Sequence, residues 1–469
     1  MLTLQTSSRI KRLPAVVLLL LLIFYADYKT QAQQSASLIY KEQGVSAESK
    51  PILASVLPDY YHAQDGVSIN ELIKRALESN QELAAARLEI EKAKARLIQA
   101  KLRPNPTLEF EQESGRLVGN GGDGSFTVGA SLPVEIYGRR DARINFAQIE
   151  IEASEAEVRN RERILAADIL TKYAEALGAL RELDALERVL ELDLQTTRFV
   201  QIRVNEGETP PLELNLLLAE VERLRARRQL TEGRLQSSLT GLKLQAGIPF
   251  DEGLRLREQI DAAILTALPQ TPEAAVEIAL KTRPDILLTR IDEQVATAGL
   301  RLVRAQSRPD LTAYTRYSQG RSVIDTSIGN FPQRDRSLTF GVAVGLPLFN
   351  KNQGALTEAE ISIRQTQARR EFAERIVRSE ILSAYQRFEA ASRAVLTLQN
   401  AAIPRITENV ETFRRVYEIG EIKITDLIAE QRRLLDANRD LTVALTEKYR
   451  AQADLIIALG AGGILPEPK

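Results

Sequence analysis

The chain has 469 residues, of which 44% are hydrophobic, 27% are charged and only 5% are aromatic, a balance typical of long packed helices or coiled coils. Its formal net charge of −1 gives no electrostatic case for binding nucleic acid. The absence of cysteine excludes disulfides, thiolate metal sites, cysteine catalysis and a lipid-bearing N-terminal cysteine.

The N-terminus is typical of an export signal. Basic residues within 9–12 precede an apolar run over 13–26, and small residues at 30–32 offer a cleavage site. We therefore predict a signal peptide over 1–32 and an extended N-terminal arm over 33–67. An uncleaved anchor is the alternative, although a spanning helix usually needs ~20 apolar residues. No other stretch is long enough to span as a helix, so a membrane form must span as strands.

Four landmarks occur twice in the same order, which indicates an internal tandem repeat of one large unit. The first landmark is a helical segment, at 76–80 and 279–283, and the second is a proline, Pro106 and Pro309. The third is a strand-to-helix turn at 131–138 and 345–352, and the fourth is a Gly-Glu pair at 207–208 and 420–421.

The first copy begins with a helix and a strand pair. A capping box at Ser68 and Glu71 predicts the start of one helix, and two prolines predict its end near Leu102. Polar and apolar residues then alternate on both sides of a glycine-rich loop, which predicts a β-hairpin over 107–133.

A long helical hairpin over 139–246 completes the first repeat, 68–246. Leucine spacing predicts one helix from 139 to Gly207, about 68 residues and ~100 Å long, followed by a tight turn and a returning helix.

The second copy follows the same plan, with one leading helix that ends at Ser307. Its two proline landmarks lie farther apart than those of the first copy, and we place the extra residues in a hairpin loop over 318–335. Length variation collects in exposed loops, so this loop marks the solvent-facing end. The remaining predicted parts are the linker 247–270, the second repeat 271–460 with its β-hairpin 310–347 and long helical hairpin 354–459, and the C-terminal tail 461–469.

The predicted strands have one apolar face and one small or polar face. Four strands per chain leave the apolar face uncovered, because the helices lie at the strand ends. Closing the sheet with other chains into a barrel removes its edges and turns the apolar face to lipid. Bacterial barrels have eight or more strands, so at least two chains are required. The alternative is a small soluble β-cap on a coiled coil, which the export signal disfavours.

Glu109, Glu111 and Glu113 share one face of the first strand, opposite Leu108 and Phe110. In a barrel these carboxylates would point into the lumen, where a symmetric oligomer multiplies them into acidic rings that favour cations. The alternative is that they only keep the lumen wet.

The tips of the helical hairpins are a second candidate site. Glu213 and Asp426 lie at matching positions just past the two tips. For Glu213 a favourable interaction with the helix dipole is a sufficient reason. For Asp426 an oligomer would gather several copies at the narrow end of a helical tube, where a carboxylate ring could bind cations or hold a gate closed.

The sequence predicts neither an enzyme nor a cofactor or metal site. It contains no Ser-His-Asp set, no phosphate-binding loop before a helix and no histidine cluster. The single histidine, His62, falls in the predicted arm and is better explained as a solvated residue than as a ligand.

The chain resembles TolC-type outer membrane efflux proteins, or outer membrane factors, over essentially its whole mature length. The resemblance is carried by the helix-to-strand switch at 103–107, the Leu-Pro turns at 132–133 and 346–347, and the tip residues Gly207 and Gly420. Within this family, segment 132–140 resembles the branch that serves cobalt–zinc–cadmium cation efflux.

The resemblance implies a homotrimer in the outer membrane of a Gram-negative bacterium. Its 12-stranded barrel, four strands per chain, would contact outer membrane lipid and continue into a periplasmic α-helical tunnel. Asp426 takes the place of an aperture aspartate of the family, whereas a second aperture aspartate falls on Ala429, next to Glu430. The tips would contact a periplasmic adaptor, or membrane fusion protein, joined to an inner membrane pump, through Gly207, Glu208, Glu213, Gly420 and Glu421.

We therefore predict a mainly α protein with a small β part. It would act as the passive outer membrane channel of a tripartite efflux system for metal cations or small organic compounds, with specificity set mainly by the pump. One alternative is a periplasmic adaptor, which two hairpins and four strands disfavour. The other is a structural coiled-coil protein without channel activity, which would have no use for alternating strands.

Overall fold

The computed structural model describes residues 55–114, 123–261 and 268–460. The predicted signal peptide, most of the predicted arm and the C-terminal tail lie outside these residues. The elements in chain order are α1 (Leu57–Tyr60), α2 (Ile69–Ser79), α3 (Gln81–Lys101), β1 (Thr107–Ser114), β2 (Gly124–Val134), α4 (Arg139–Asn205), α5 (Pro211–Ala246), α6 (Pro272–Thr282), α7 (Pro284–Gln306), β3 (Asp310–Thr326), β4 (Gly329–Gly345), α8 (Gln353–Thr397), a π-helical turn (Leu398–Ala402), α9 (Ile403–Glu418) and α10 (Ile424–Ala458).

Each leading helix is divided in two, so the prediction of single continuous helices is wrong. In the first copy the backbone leaves the helix at Asn80, whose side chain accepts a hydrogen bond from the Leu83 amide at 2.9 Å and caps α3. In the second copy Arg283 is extended, with ψ 125°, because the ring of Pro284 disfavours helical backbone before it. The two breaks lie at matching ends of the first landmark.

The four strands form one antiparallel sheet in the order β1-β2-β3-β4. β3 and β4 are 17 residues each, and they remain paired up to Thr326 and Gly329. The predicted loop over 318–335 is therefore wrong, because the extra residues of the second copy extend the strands. Hydrogen bonding continues where hydrophobic alternation stops. In the described part of the chain, no strand pairs with the outer edge of β1 or β4.

The long helices of the two copies also differ. α4 has 67 residues, about 100 Å, as the leucine spacing predicts. Its counterpart is interrupted by a five-residue π-helical turn between α8 and α9. Pro404 follows this turn and lacks the N–H that a regular helix needs, so the hydrogen-bond pattern shifts before it. The predicted unbroken helix of the second copy requires this correction.

The largest core surrounds the middle of α4 and includes residues of α2, α5 and α10. Leu254, Leu256 and Ile260, from the segment predicted as a linker, are buried in it. Leu256 also forms bridges to Tyr61 and Val67. The described parts of the predicted arm and linker are thus packed on the repeat core.

Three arginines at the start of α4 join the sheet to the helices. Arg140 and Arg143 donate to carbonyls at the end of α3, including that of Lys101 at 2.8 Å. Arg139 donates to the Arg308 carbonyl just beyond the end of α7 and forms an ion pair with Asp310 at the start of β3. These contacts satisfy carbonyl oxygens at the helix ends that no amide of the helix can reach. Within the described residues, no helix combines the length and apolar composition needed to cross a membrane.

Candidate functional site

One face of the sheet is apolar and exposed. The strand register aligns Phe110, Val128, Tyr317 and Leu338 in one row across all four strands. Phe110 is 70% exposed and Phe340, in the next row, is 74% exposed. A contiguous apolar sheet face of this kind needs a partner, because leaving it in water is unfavourable.

The opposite face carries the glutamates that the sequence singled out. Glu109, Glu111 and Glu113 alternate with the apolar residues of β1 and lie opposite Gly129, Thr127 and Ser125. All three glutamates are exposed. The Ser125 hydroxyl donates to Glu113 at 3.0 Å, and Arg316 lies 3.9 Å from Glu109. This face is therefore polar, with an excess of carboxylates on β1.

The two hairpin tips have the same backbone. Gly207 and Gly420 adopt φ values of +78° and +83°, which residues other than glycine rarely adopt. The next amides, of Glu208 and Glu421, donate back to carbonyls in the last turns of α4 and α9. Glycine at these positions thus ends each helix in the same left-handed turn.

The tips pack against each other through an apolar cluster, which we call the tip cluster. A hydrogen bond crosses it, because the Tyr417 hydroxyl donates to Glu213 at 2.8 Å. Burial and the adjacent Glu213 carboxylate raise the pKa of Tyr417. Sequence reasoning missed Tyr417, although it is a lone aromatic residue in the last turn before a tip. The buried members of the cluster are Val200, Leu214, Leu217, Tyr417, Ile424, Leu427 and Ile428.

Asp426 and Glu430 have different environments. Asp426 is exposed in the first turn of α10 and accepts a hydrogen bond from the Lys423 amide at 3.3 Å. Glu430 is only 2% exposed and accepts from Asn409 at 3.3 Å and Arg433 at 2.7 Å. Its carboxylate is therefore engaged inside the subunit, whereas that of Asp426 faces outward.

A buried polar cluster between α4, α5 and α10 was not predicted. Asp193 is 1% exposed and Gln431 is 3% exposed. Among the described residues, neither side chain forms a hydrogen bond of regular geometry, although Gln431 lies close enough to Asp193 to lower its pKa slightly. Burial, and then the charge of Glu220, raises the pKa of Asp193 to about 7, although Arg223 acts in the opposite direction.

Glu220 connects this cluster to the second hairpin. It is 5% exposed and bound by Arg223 of its own helix and by Arg432 of α10, the latter at 2.6 Å. Although burial raises the pKa of Glu220, hydrogen bonds from both arginines outweigh this and lower it. The burial of Asp193 could have been predicted from the sequence, because it continues the three-and-four spacing of Leu186 and Leu190, where an apolar residue is expected.

Across the described ranges, no group of three or more acidic or histidine side chains is arranged to hold a metal ion.

The chain matches the outer membrane efflux protein family over residues 72–247 and 275–461, and it therefore belongs to this family. The two matched segments correspond to the two repeats. The protein is thus an outer membrane efflux channel of tripartite systems, with a periplasmic extension and no enzymatic role. This confirms the TolC-type membership predicted from the sequence.

Individual relatives are distant but cover most of the chain. It is 24% identical over 403 residues to the cobalt-zinc-cadmium resistance protein CzcC of Cupriavidus metallidurans, covering 84% of this chain and 90% of that one. It is 24% identical to the outer membrane protein TolC of Vibrio cholerae, covering 71% and 76%. The crystal structure of CusC shares the fold with a TM-score of 0.68 at 21% identity, covering 84% of this chain and 92% of CusC.

Proposed function

We propose that the protein is a homotrimer that passively conducts exported substrate from a periplasmic adaptor and inner membrane pump to the exterior. The observation that carries this proposal is the two-faced sheet. Its apolar face is exposed, its opposite face is polar, and its two outer edges are unpaired within the described residues. Unpaired edges and an exposed apolar face are both unfavourable in an isolated subunit.

Closure with two further copies would satisfy the edges and the apolar face together. Three chains with four strands each supply 12 strands, within the range of bacterial outer membrane barrels. The apolar face would then contact outer membrane lipid. Glu109, Glu111 and Glu113 would form acidic rings in the lumen, and Arg316 would balance part of that charge.

The tips are proposed as the surface that meets the adaptor. Apolar residues stand exposed beside them, with Leu212 66% and Ile419 71% exposed. Exposed apolar side chains at the end of a long helical hairpin are suited to packing against a partner. The proposed contact residues are Gly207, Glu208, Glu213, Gly420 and Glu421.

Asp426 is proposed as the aperture residue. In a trimer its exposed carboxylate would recur three times at the narrow end of the tunnel and attract cations there. Glu430 would support this arrangement from inside the subunit, because it binds Asn409 of α9 and Arg433 of α10. A single exposed ring would replace the two rings expected for the family.

Metal cations are the proposed cargo. The similarity to CzcC over 84% of the chain and the carboxylates on the luminal face both favour this class. Small organic compounds are the alternative. Deleting the gene of this channel should sensitise cells to cobalt, zinc or cadmium more than to organic dyes. The reverse order would assign the organic class.

The channel itself is tested with purified full-length protein. Its mass in detergent should be that of three chains, and it should conduct ions in planar bilayers with a preference for cations. A monomeric, water-soluble product without conductance would contradict the proposal.

A further inference from the structure

Three arginines lie together on the apolar side of the sheet, beyond the apolar rows. Going along β3 and β4 away from the helices, the row of Tyr317 and Leu338 is followed by Gln319 and Arg336, and then by Arg321 and Arg334. All three arginines are exposed. Strand alternation places them on the same face as Leu338 and opposite the luminal glutamates.

The charge of this arginine cluster is not balanced by any described side chain. Among the described residues, no carboxylate forms an ion pair with any of the three guanidinium groups. Two acids near the cluster are engaged elsewhere, since Asp335 lies on the other face and accepts from Gln333, while Asp123 accepts from the Val323 amide at 2.8 Å. Arg321 and Arg334 are direct cross-strand partners, and like charges in that relation are destabilising.

The position of the cluster indicates what could neutralise it. Each strand joins its neighbouring described helix at the same end of the sheet, and the β3–β4 turn lies at the other end. From Leu338 to Gly345 β4 rises on the order of 20 Å, comparable with the ~25 Å apolar band of outer membrane barrels. The arginines therefore lie just past the apolar band, at the level of lipid headgroups on the side away from the helices.

We propose that Arg321, Arg334 and Arg336 form a site for the phosphate-bearing headgroup of an outer-leaflet lipid. Guanidinium groups bind phosphate oxygens in a bidentate manner, and a phosphate among three of them removes the cross-strand repulsion. Continuity with the apolar face favours a lipid over free phosphate, because the acyl chains would lie on that face. This inference rests on the proposed function, which turns that face to the membrane.

The test uses the delipidated full-length trimer in detergent. Native mass spectrometry measures binding of lipid A, a glycolipid with two phosphates, and of its dephosphorylated form. Wild type should bind lipid A only when it is phosphorylated. The triple variant R321Q/R334Q/R336Q should bind it at least tenfold more weakly, and the single variant Arg334→Gln severalfold more weakly if the triple variant does not assemble.

Arg316→Gln is the matched control, because it removes the same charge from the opposite face of the same strand. It should leave lipid A binding unchanged. Equal losses in the control and the triple variant, or displacement of lipid A by equimolar inorganic phosphate, would overturn the lipid site. If the triple variant binds lipid A as wild type does and conducts normally in phosphatidylcholine bilayers, the lipid site is overturned but the proposed channel function is not. Loss of conductance in wild type would instead overturn the proposed function.

Discussion

The two hairpin tips share a backbone but differ in side-chain chemistry. Tyr417 and Val204 each lie three residues before a tip glycine, and Glu213 and Asp426 each lie six residues after one. Tyr417 donates to Glu213, whereas valine has no donor for Asp426. The two repeats therefore share the same tip geometry. They differ in that the Glu213 carboxylate is bound by a tyrosine, whereas the Asp426 carboxylate is exposed.

The same contrast continues inside the hairpins. Asp193 and Ile406 each lie fourteen residues before a tip glycine, so a buried carboxylate in the first repeat corresponds to an apolar residue in the second. At this position the first repeat thus has a buried ionisable group that the second repeat lacks. Substitutions that make one repeat resemble the other test how much each difference contributes.

Asp193→Asn should have the largest effect. The pKa of Asp193 is raised to about 7 by burial and the charge of Glu220, from an ordinary value of 3.8. The folded protein holds a proton that the unfolded chain releases, so wild-type stability should fall from about pH 4 until the pH passes 7. The loss is on the order of a few kcal/mol. Asparagine cannot ionise, so the variant should lack this pH dependence and be more stable than wild type at pH 8.

Thermal unfolding of the detergent-solubilised protein at pH 5 and pH 8 measures this difference. Asp436→Asn is the control, because Asp436 is exposed on α10. It should keep the wild-type pH dependence. Equal pH dependence in wild type and Asp193→Asn would show that the buried carboxyl is not the group responsible.

Tyr417→Phe should weaken the contact between the two tips. The substitution removes a hydrogen bond to a carboxylate, which contributes about 1.5–3 kcal/mol. The tip cluster keeps its ring, so the tips should stay packed but separate more readily, and single-channel conductance should rise. Tyr385→Phe is the matched control, since its hydroxyl donates to the Pro269 carbonyl at 2.6 Å, outside the tip cluster. Conductance equal to wild type would show that the Tyr417–Glu213 hydrogen bond does not limit how readily the tips separate.

Local signals predicted much of this molecule, and contacts between distant residues escaped prediction. The tips at Gly207 and Gly420 and the faces of β1 follow from short patterns that the structure reproduces. The strand residues beyond Tyr317 could not be predicted in this way. Hydrophobic alternation ends with the apolar rows, whereas backbone pairing continues past them. The Tyr417–Glu213 bond joins residues 204 positions apart, and no local pattern encodes it.

Gly207→Ala and Gly420→Ala should have smaller and nearly equal effects. Each forces a Cβ into left-handed backbone, which costs roughly 1 kcal/mol. Sterics add little, because a Cβ at Gly207 would meet nothing within 4 Å and one at Gly420 would lie 3.9 Å from Arg203. Thermal unfolding of both variants measures the comparison. A much larger loss at one tip would mean that the two turns are not equivalent. Gly233→Ala, in mid-helix with open space around it, should instead stabilise.

Asp426→Ala should have the smallest effect on the free energy of unfolding, because the Asp426 side chain is exposed and its charge is screened by salt. Its effect should be seen in ion flow, as higher conductance or weaker block by divalent cations at low ionic strength. At ~1 M salt the difference should disappear, since the Debye length is then about 3 Å. Glu421→Ala removes a similar charge from the same tip outside the proposed ring and should leave the block unchanged. If the two variants behave alike, then general tip charge acts on the ions, and the exposed carboxylate of Asp426 has no special role at the aperture.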